Sequence, residues 1–145
     1  MTAETIADLI EDITRAPYGM PVRAMEQLLA IGDEAVQPLC AALDRWHDDD
    51  SRNLSWPIVL LGELRSTDGI AALIRQVKRT DFDFVAAAAA EALVKVGKSA
   101  LPAVCDLAVD TEAEVRMHAY AILGWLNDDE SHATLLGSLP RDPAL

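Results

Sequence analysis

Apolar stripes separated by short polar breaks run the length of the chain, and the stripes carry a helical period. Residues 2–15 place Ile6, Leu9, Ile10 and Ile13 at the i, i+3, i+4, i+7 spacing that lines one face of a helix. Pro17-Tyr18-Gly19 then interrupts the stripe. Residues 21–31 predict a second helix with Val22, Met25, Leu28 and Leu29 inward. Gly32 suits a left-handed C-cap, and Asp33 starts a third helix over 33–46. After the polar stretch 47–53, helices are predicted over 54–64, 68–79, 82–96, 99–109, 112–126 and 129–139. Thr111 and Glu114 stand at the spacing of a capping box, and Pro140 and Pro143 close the pattern. No stretch alternates apolar and polar residues as a strand would.

The helices also repeat. Under a shift of 65 residues Leu28 meets Leu93, Ile31 meets Val96, Gly32 meets Gly97 and Cys40 meets Cys105. Under a shift of 62, Leu61-Gly62-Glu63-Leu64 lies over Leu123-Gly124-Trp125-Leu126. Helix pairs recurring about every 30 residues define an α-solenoid, in which each pair buries its faces only against its neighbours. The expected architecture is a single all-α domain over 1–145: a capping helix at 1–16, repeats at 20–47, 53–80, 82–109 and 111–139, and a tail at 140–145.

The run Asp110-Thr111-Glu112-Ala113-Glu114-Val115-Arg116-Met117-His118-Ala119, followed by Leu123-Gly124-Trp125-Leu126, resembles the D-x-x-x-E-V-R-x-x-A…L-G-x-L pattern of HEAT-like repeats. The short-repeat subgroup, also found in phycobilisome bilin-lyase proteins, is the most similar. Two departures stand out: Val85-Ala86 lacks the Arg, and Pro57 sits where the last unit has Ala119. The resemblance implies a right-handed superhelix whose second helices line a concave groove.

Composition narrows the function. Acidic side chains outnumber basic ones 24 to 12, for a net charge of -12, which argues against a broad grip on phosphate backbones or an anionic membrane. Apolar runs are too short to span a bilayer. Two cysteines, no basic-plus-apolar leader at the start and no Cys/His cluster fit a cytoplasmic protein with reduced thiols.

The chemistry-bearing residues each have a plain reading. Cys40 and Cys105 fall in apolar stripes and read as buried packing residues, where a reactive thiol needs an electropositive pocket. His47-Asp48-Asp49-Asp50 lacks cation-loop spacing and reads as a solvated turn. HEAT-like deoxyhypusine hydroxylases hold iron through His-Glu pairs. Here His47, His118 and His132 precede Asp48, Ala119 and Ala133, so that enzyme is excluded. HEAT-like DNA glycosylases use a basic groove, whereas this chain offers one basic helix with Arg75, Lys78 and Arg79, expected to be neutralised by neighbouring repeats.

Acids at Asp48-Asp49-Asp50, Asp81-Phe82-Asp83 and 110–114 fall in the turns leading into first helices. Helix capping alone would put them there; an acidic ridge steering a basic partner is the functional alternative. Register places Gln37, Ala41, Asp44, Arg75, Lys78 and Asp106 on the open face of the second helices, with Arg75 and Asp106 expected to pair. Trp46 and Trp56 read as packing. Trp125 belongs to a second apolar stripe with Met117 and Ala121, either covered by the last helix and tail or open as a self-association or partner surface. The expected function is a non-enzymatic adaptor, inhibitor or chaperone that binds a protein, basic on the charge argument, with no cofactor and no metal. The alternative is a tetrapyrrole-handling, bilin-lyase-like protein.

Overall fold

The computed structural model describes residues 3–15, 19–79 and 81–145, so the predicted break at Pro17-Tyr18 lies outside the described residues. Among those residues there is no strand. The helices are α1 (Ala3–Arg15), α2 (Val22–Ile31), α3 (Val36–Arg45), α4 (Ser55–Leu64), α5 (Ile70–Val77), α6 (Asp83–Val96), α7 (Leu101–Leu107), α8 (Ala113–Leu126) and α9 (Asp129–Ser138). First helices α2, α4, α6 and α8 pack in one row, second helices α3, α5, α7 and α9 in another, and α1 lies against α2, α3 and α4.

The stripe of α1 behaves as its spacing dictates, since Ile6, Leu9, Ile10 and Ile13 are all buried. This helix is also pinned by polar contacts. Asn53 N–H donates to the Thr14 carbonyl at 2.8 Å, and Arg52 reaches Glu11 at 2.8 Å. In α2 the inward face is instead Ala24, Met25 and Leu28. Val22 and Leu29 are exposed, contrary to the pattern-based assignment, because the small Ala24 takes the contact and the buried stripe spans only one side of the helix.

The second helices start later than predicted. A 3-10 turn over Gly32–Ala35 precedes α3, another over Thr67–Gly69 precedes α5, and a third over Gly97–Ala100 precedes α7. Gly32 does have positive φ, but at φ 76° and ψ −134° it is outside the left-handed helical region expected of it. Gly97 takes the same conformation, φ 88° and ψ −148°. The other two first helices end differently, with Arg65 and Asn127 at φ 53° and 52° in the left-handed helical region. The shifts of 65 and 62 residues read from the sequence thus join backbone conformations of the same kind, and the units alternate between two kinds of corner.

The core runs through the first-helix row. Pro57 falls in the first turn of α4, where its missing N–H costs no ladder bond, and it is buried with Ile58, Leu60, Leu61 and Gly62. Ala86, Ala89, Ala90 and Ala92 are buried on α6, so the alanine run serves close approach to α4 and α8 as well as helix propensity.

A candidate protein-interaction face

All six register-predicted residues of the second-helix row are exposed: Gln37, Ala41 and Asp44 on α3, Arg75 on α5, Lys78 just after it and Asp106 on α7. Trp125 is 77% exposed but lies on α8 in the other row, so the fold does not bring it together with them.

The ion pair predicted between Arg75 and Asp106 is not formed. Arg75 turns towards the preceding unit and makes a two-pronged contact with Asp44, Nε to Oδ1 and Nη2 to Oδ2, both at 3.1 Å. Asp44 lies one turn beyond Ala41 and offers a carboxylate within reach of the guanidinium fork. Lys78 pairs with Asp110 at 3.6 Å, and Arg79 approaches Asp81 at 3.4 Å. The basic helix is therefore neutralised by its neighbours, as its isolation in an acidic chain suggests.

Arg79 is an internal strut. It is 6% exposed, donates to the His47 carbonyl and lies 4.8 Å over the Phe82 ring. With Arg52, Asp49, Asp50, Leu54, Phe84 and Val85 it lines a cleft of about 350 Å³ between the loops of the first two inter-unit turns. Arg52 is itself held 4.0 Å over Trp46, which is buried.

The acids of the turns do not cap helices. Leu54, Phe82 and Glu112 occupy the N-cap positions of α4, α6 and α8, and none contributes a capping side chain. The capping box predicted at Thr111 and Glu114 is absent because α8 starts one residue later than that box requires. Asp110 instead accepts from the Glu112 N–H at 3.0 Å, in an Asx turn. Asp49 likewise accepts from the Ser51 N–H at 3.0 Å and from its hydroxyl, which holds its carboxyl below the usual range. The Arg79 guanidinium holds Asp81 low in the same way. A complete capping box does form at Asp128 and Ser131, ahead of α9.

Among the described residues, Asp48, Asp50, Asp106, Glu112 and Glu114 have neither an ion pair nor a side-chain hydrogen bond. Free negative charge thus borders the second-helix row, while Arg75, Lys78 and Arg79 are paired and Arg45 lies over the Trp46 ring.

The two cysteines differ. Cys40 is buried, and burial foremost, then the Asp44 carboxylate, pushes its thiol pKa up. Cys105 is only half-buried, contrary to expectation, with Sγ 3.6 Å from the Thr134 hydroxyl. Its helix α7 is short, and the α9 face above it carries small polar residues. Trp56 is half-buried as a packing residue. No group of three or more His, Cys, Asp or Glu among the described residues is arranged to hold a metal ion, and no helix there is long and apolar enough to cross a membrane.

Sequence reasoning missed one cluster. Arg116 grips Asp142 through two bonds, at 2.7 and 3.0 Å, while the Tyr120 hydroxyl donates to the same carboxylate. Arg116 also donates to the Asp110 and Thr111 carbonyls, both at 3.0 Å. It ties the tail to the loop ahead of α8. Asp142 had no periodic signal, and only its place beside Pro143 hinted at a fixed turn.

Two stacked rows of paired helices define an α-solenoid. The HEAT repeats family matches residues 85–144, and the PBS lyase HEAT-like repeat matches residues 21–45. Both matches are to HEAT-like repeats. No curated protein matches it.

Proposed function

We propose that the chain is a non-catalytic protein-binding module, an adaptor, inhibitor or chaperone, that holds a basic protein against its second-helix row and acidic edge. HEAT repeats generally mediate protein–protein interaction, which supports the class. One observation carries the finer reading: Asp44, Asp110 and Asp81 pair with Arg75, Lys78 and Arg79, while Asp48, Asp50, Asp106, Glu112 and Glu114 are left unpaired. A partner with complementary positive charge gains association rate from that imbalance, and preordered helices limit the entropy lost on binding.

The test is capture from native lysate at low and moderate salt, beside a variant carrying Asp48→Asn, Asp50→Asn, Glu112→Gln and Glu114→Gln. A basic protein retained at low salt, released at moderate salt and lost with the variant supports the reading, since exposed charges are screened over about 8–10 Å in that range. Capture indifferent to salt and to the variant removes the acidic edge from the mechanism.

The match to a PBS lyase HEAT-like repeat favours tetrapyrrole handling as the second reading. Cys40, the cysteine within that match, is buried with a raised thiol pKa, a poor attachment point. A visible absorbance change on mixing with bilin or heme would support this reading.

A further inference from the structure

Gly62 and Gly124 are equivalent under the 62-residue shift, yet their surroundings differ. A Cβ placed on Gly62 would stand 2.8 Å from the Cα of Ala92, so α4 and α6 touch backbone to backbone there. A Cβ placed on Gly124 would meet nothing within 4 Å. Beside Gly62, Glu63 pairs with Lys95 of α6, whereas its equivalent Trp125 is 77% exposed. The last unit therefore repeats a helix-docking face that no element of the described chain covers, and the shape that fits it is a helix with a small residue at the crossing.

The face names its own occupant. Ala121 and Gly124 are exposed small residues at its centre; Met117, half-buried against the core, and the exposed Trp125 are bulky, each four residues from Ala121 on opposite sides. When two such helices run antiparallel about an axis at Ala121, Met117 lies opposite the Trp125 of the second copy, and alanine meets alanine on the axis. Thioether and indole make a favourable pair, and the small centre permits close approach. No charged residue falls between Arg116 and Asp128, which matters for a chain of net charge -12 meeting its own copy.

We propose that α8 is a self-association face, pairing antiparallel with α8 of a second copy about a two-fold axis at Ala121. The face is isologous, so the contact closes at two copies. Asp128 lies beyond the end of α8, held by its cap on α9 and by Lys98, so the contact itself is apolar, and salt strengthens the dimer by screening the net charge of -12 that each copy carries. That dependence is opposite in sign to the capture of a basic partner, so the two readings fail separately.

The test is light scattering and sedimentation of the full chain from low micromolar to near-millimolar concentration at two salt concentrations. The mass is expected to double with concentration, at lower concentration in high salt. Ala121→Glu, at an exposed site, is expected to weaken association on the order of a hundredfold by burying like charges on the axis, with circular dichroism unchanged. Ala121→Cys is expected to give a disulfide-linked dimer on mild oxidation, and Ala87→Cys, exposed on α6, none. A single-copy mass throughout, a dimer weakened by salt, a dimer untouched by Ala121→Glu, or no cross-link at Ala121→Cys would each overturn the proposal.

Discussion

Gly62 and Ala92 are in contact along their backbones: a methyl group at residue 62 would stand 2.8 Å from the Ala92 Cα and 2.9 Å from its Cβ. The contact is fixed on both sides by packed helices, and neither atom belongs to a flexible side-chain end. Gly62→Ala is therefore expected to destabilise the fold by roughly 1–3 kcal/mol through overpacking, although alanine is the better helix former. The control is Gly124→Ala, open on every side, which is expected to stabilise by about 0.5–1 kcal/mol from helix propensity alone. Urea unfolding of both variants at low concentration, where single copies dominate, reads the two signs directly.

The grip of Arg116 and Tyr120 on Asp142 has a pH signature. Both bonds favour the ionised carboxylate and hold its pKa well below the usual range. A depressed folded-state pKa contributes stability above the ordinary carboxylate value, about 3.9, and that contribution is lost as pH falls below it. Wild-type stability is expected to drop between roughly pH 5 and pH 2, and Asp142→Asn to flatten the drop while lowering stability at neutral pH. Chemical denaturation across that range checks it, and a parallel pH profile for both proteins would contradict it.

Arg79 ties the loop after α3 to its own loop through the His47 carbonyl, Asp81 and the Phe82 ring. Arg79→Ala is expected to cost about 1–3 kcal/mol by leaving the half-buried His47 carbonyl without its donor and emptying the buried site of the guanidinium. Arg79→Lys is expected to recover little, because one ammonium cannot span the three sites of a planar fork. Thermal unfolding of the two variants provides the comparison.

Thiol chemistry should separate the cysteines. Cys105 is expected to react with a disulfide reagent in the native state well before Cys40, whose thiol is buried and shifted away from the thiolate. Peptide mapping after timed labelling identifies the order, and both sites are expected to react together once the chain is unfolded.

Much of the fold was legible because repetition gives each helix a second reading. The Gly32 and Gly97 corners, the second-helix stripe Val36, Leu39, Cys40 and Leu43, and the exposure of Gln37, Ala41, Asp44, Arg75, Lys78 and Asp106 all follow from register. Periodicity fails where the outcome depends on one side chain's reach. Arg75 had two carboxylates within a turn of its column and took Asp44. The acids at Asp49 and Asp110 stand where caps also stand, and composition cannot tell a cap from an Asx turn placed ahead of it. The Arg116–Tyr120–Asp142 cluster was invisible because it joins a helix to a tail with no period at all. The candidate interaction face is legible only as exposure and charge, since what a groove binds is set by a partner whose sequence is elsewhere.

The alternation of corners, glycine with a 3-10 turn at residues 32 and 97 and a left-handed non-glycine at 65 and 127, sets the increment by which this rod can grow. Deleting or duplicating one helix pair would bring two like corners side by side and change the angle at which the next helix is launched. Removing or inserting two pairs together preserves the alternation. In a stack where each unit touches only its neighbours, length variants made in double units should keep the cooperative unfolding that odd-numbered ones lose.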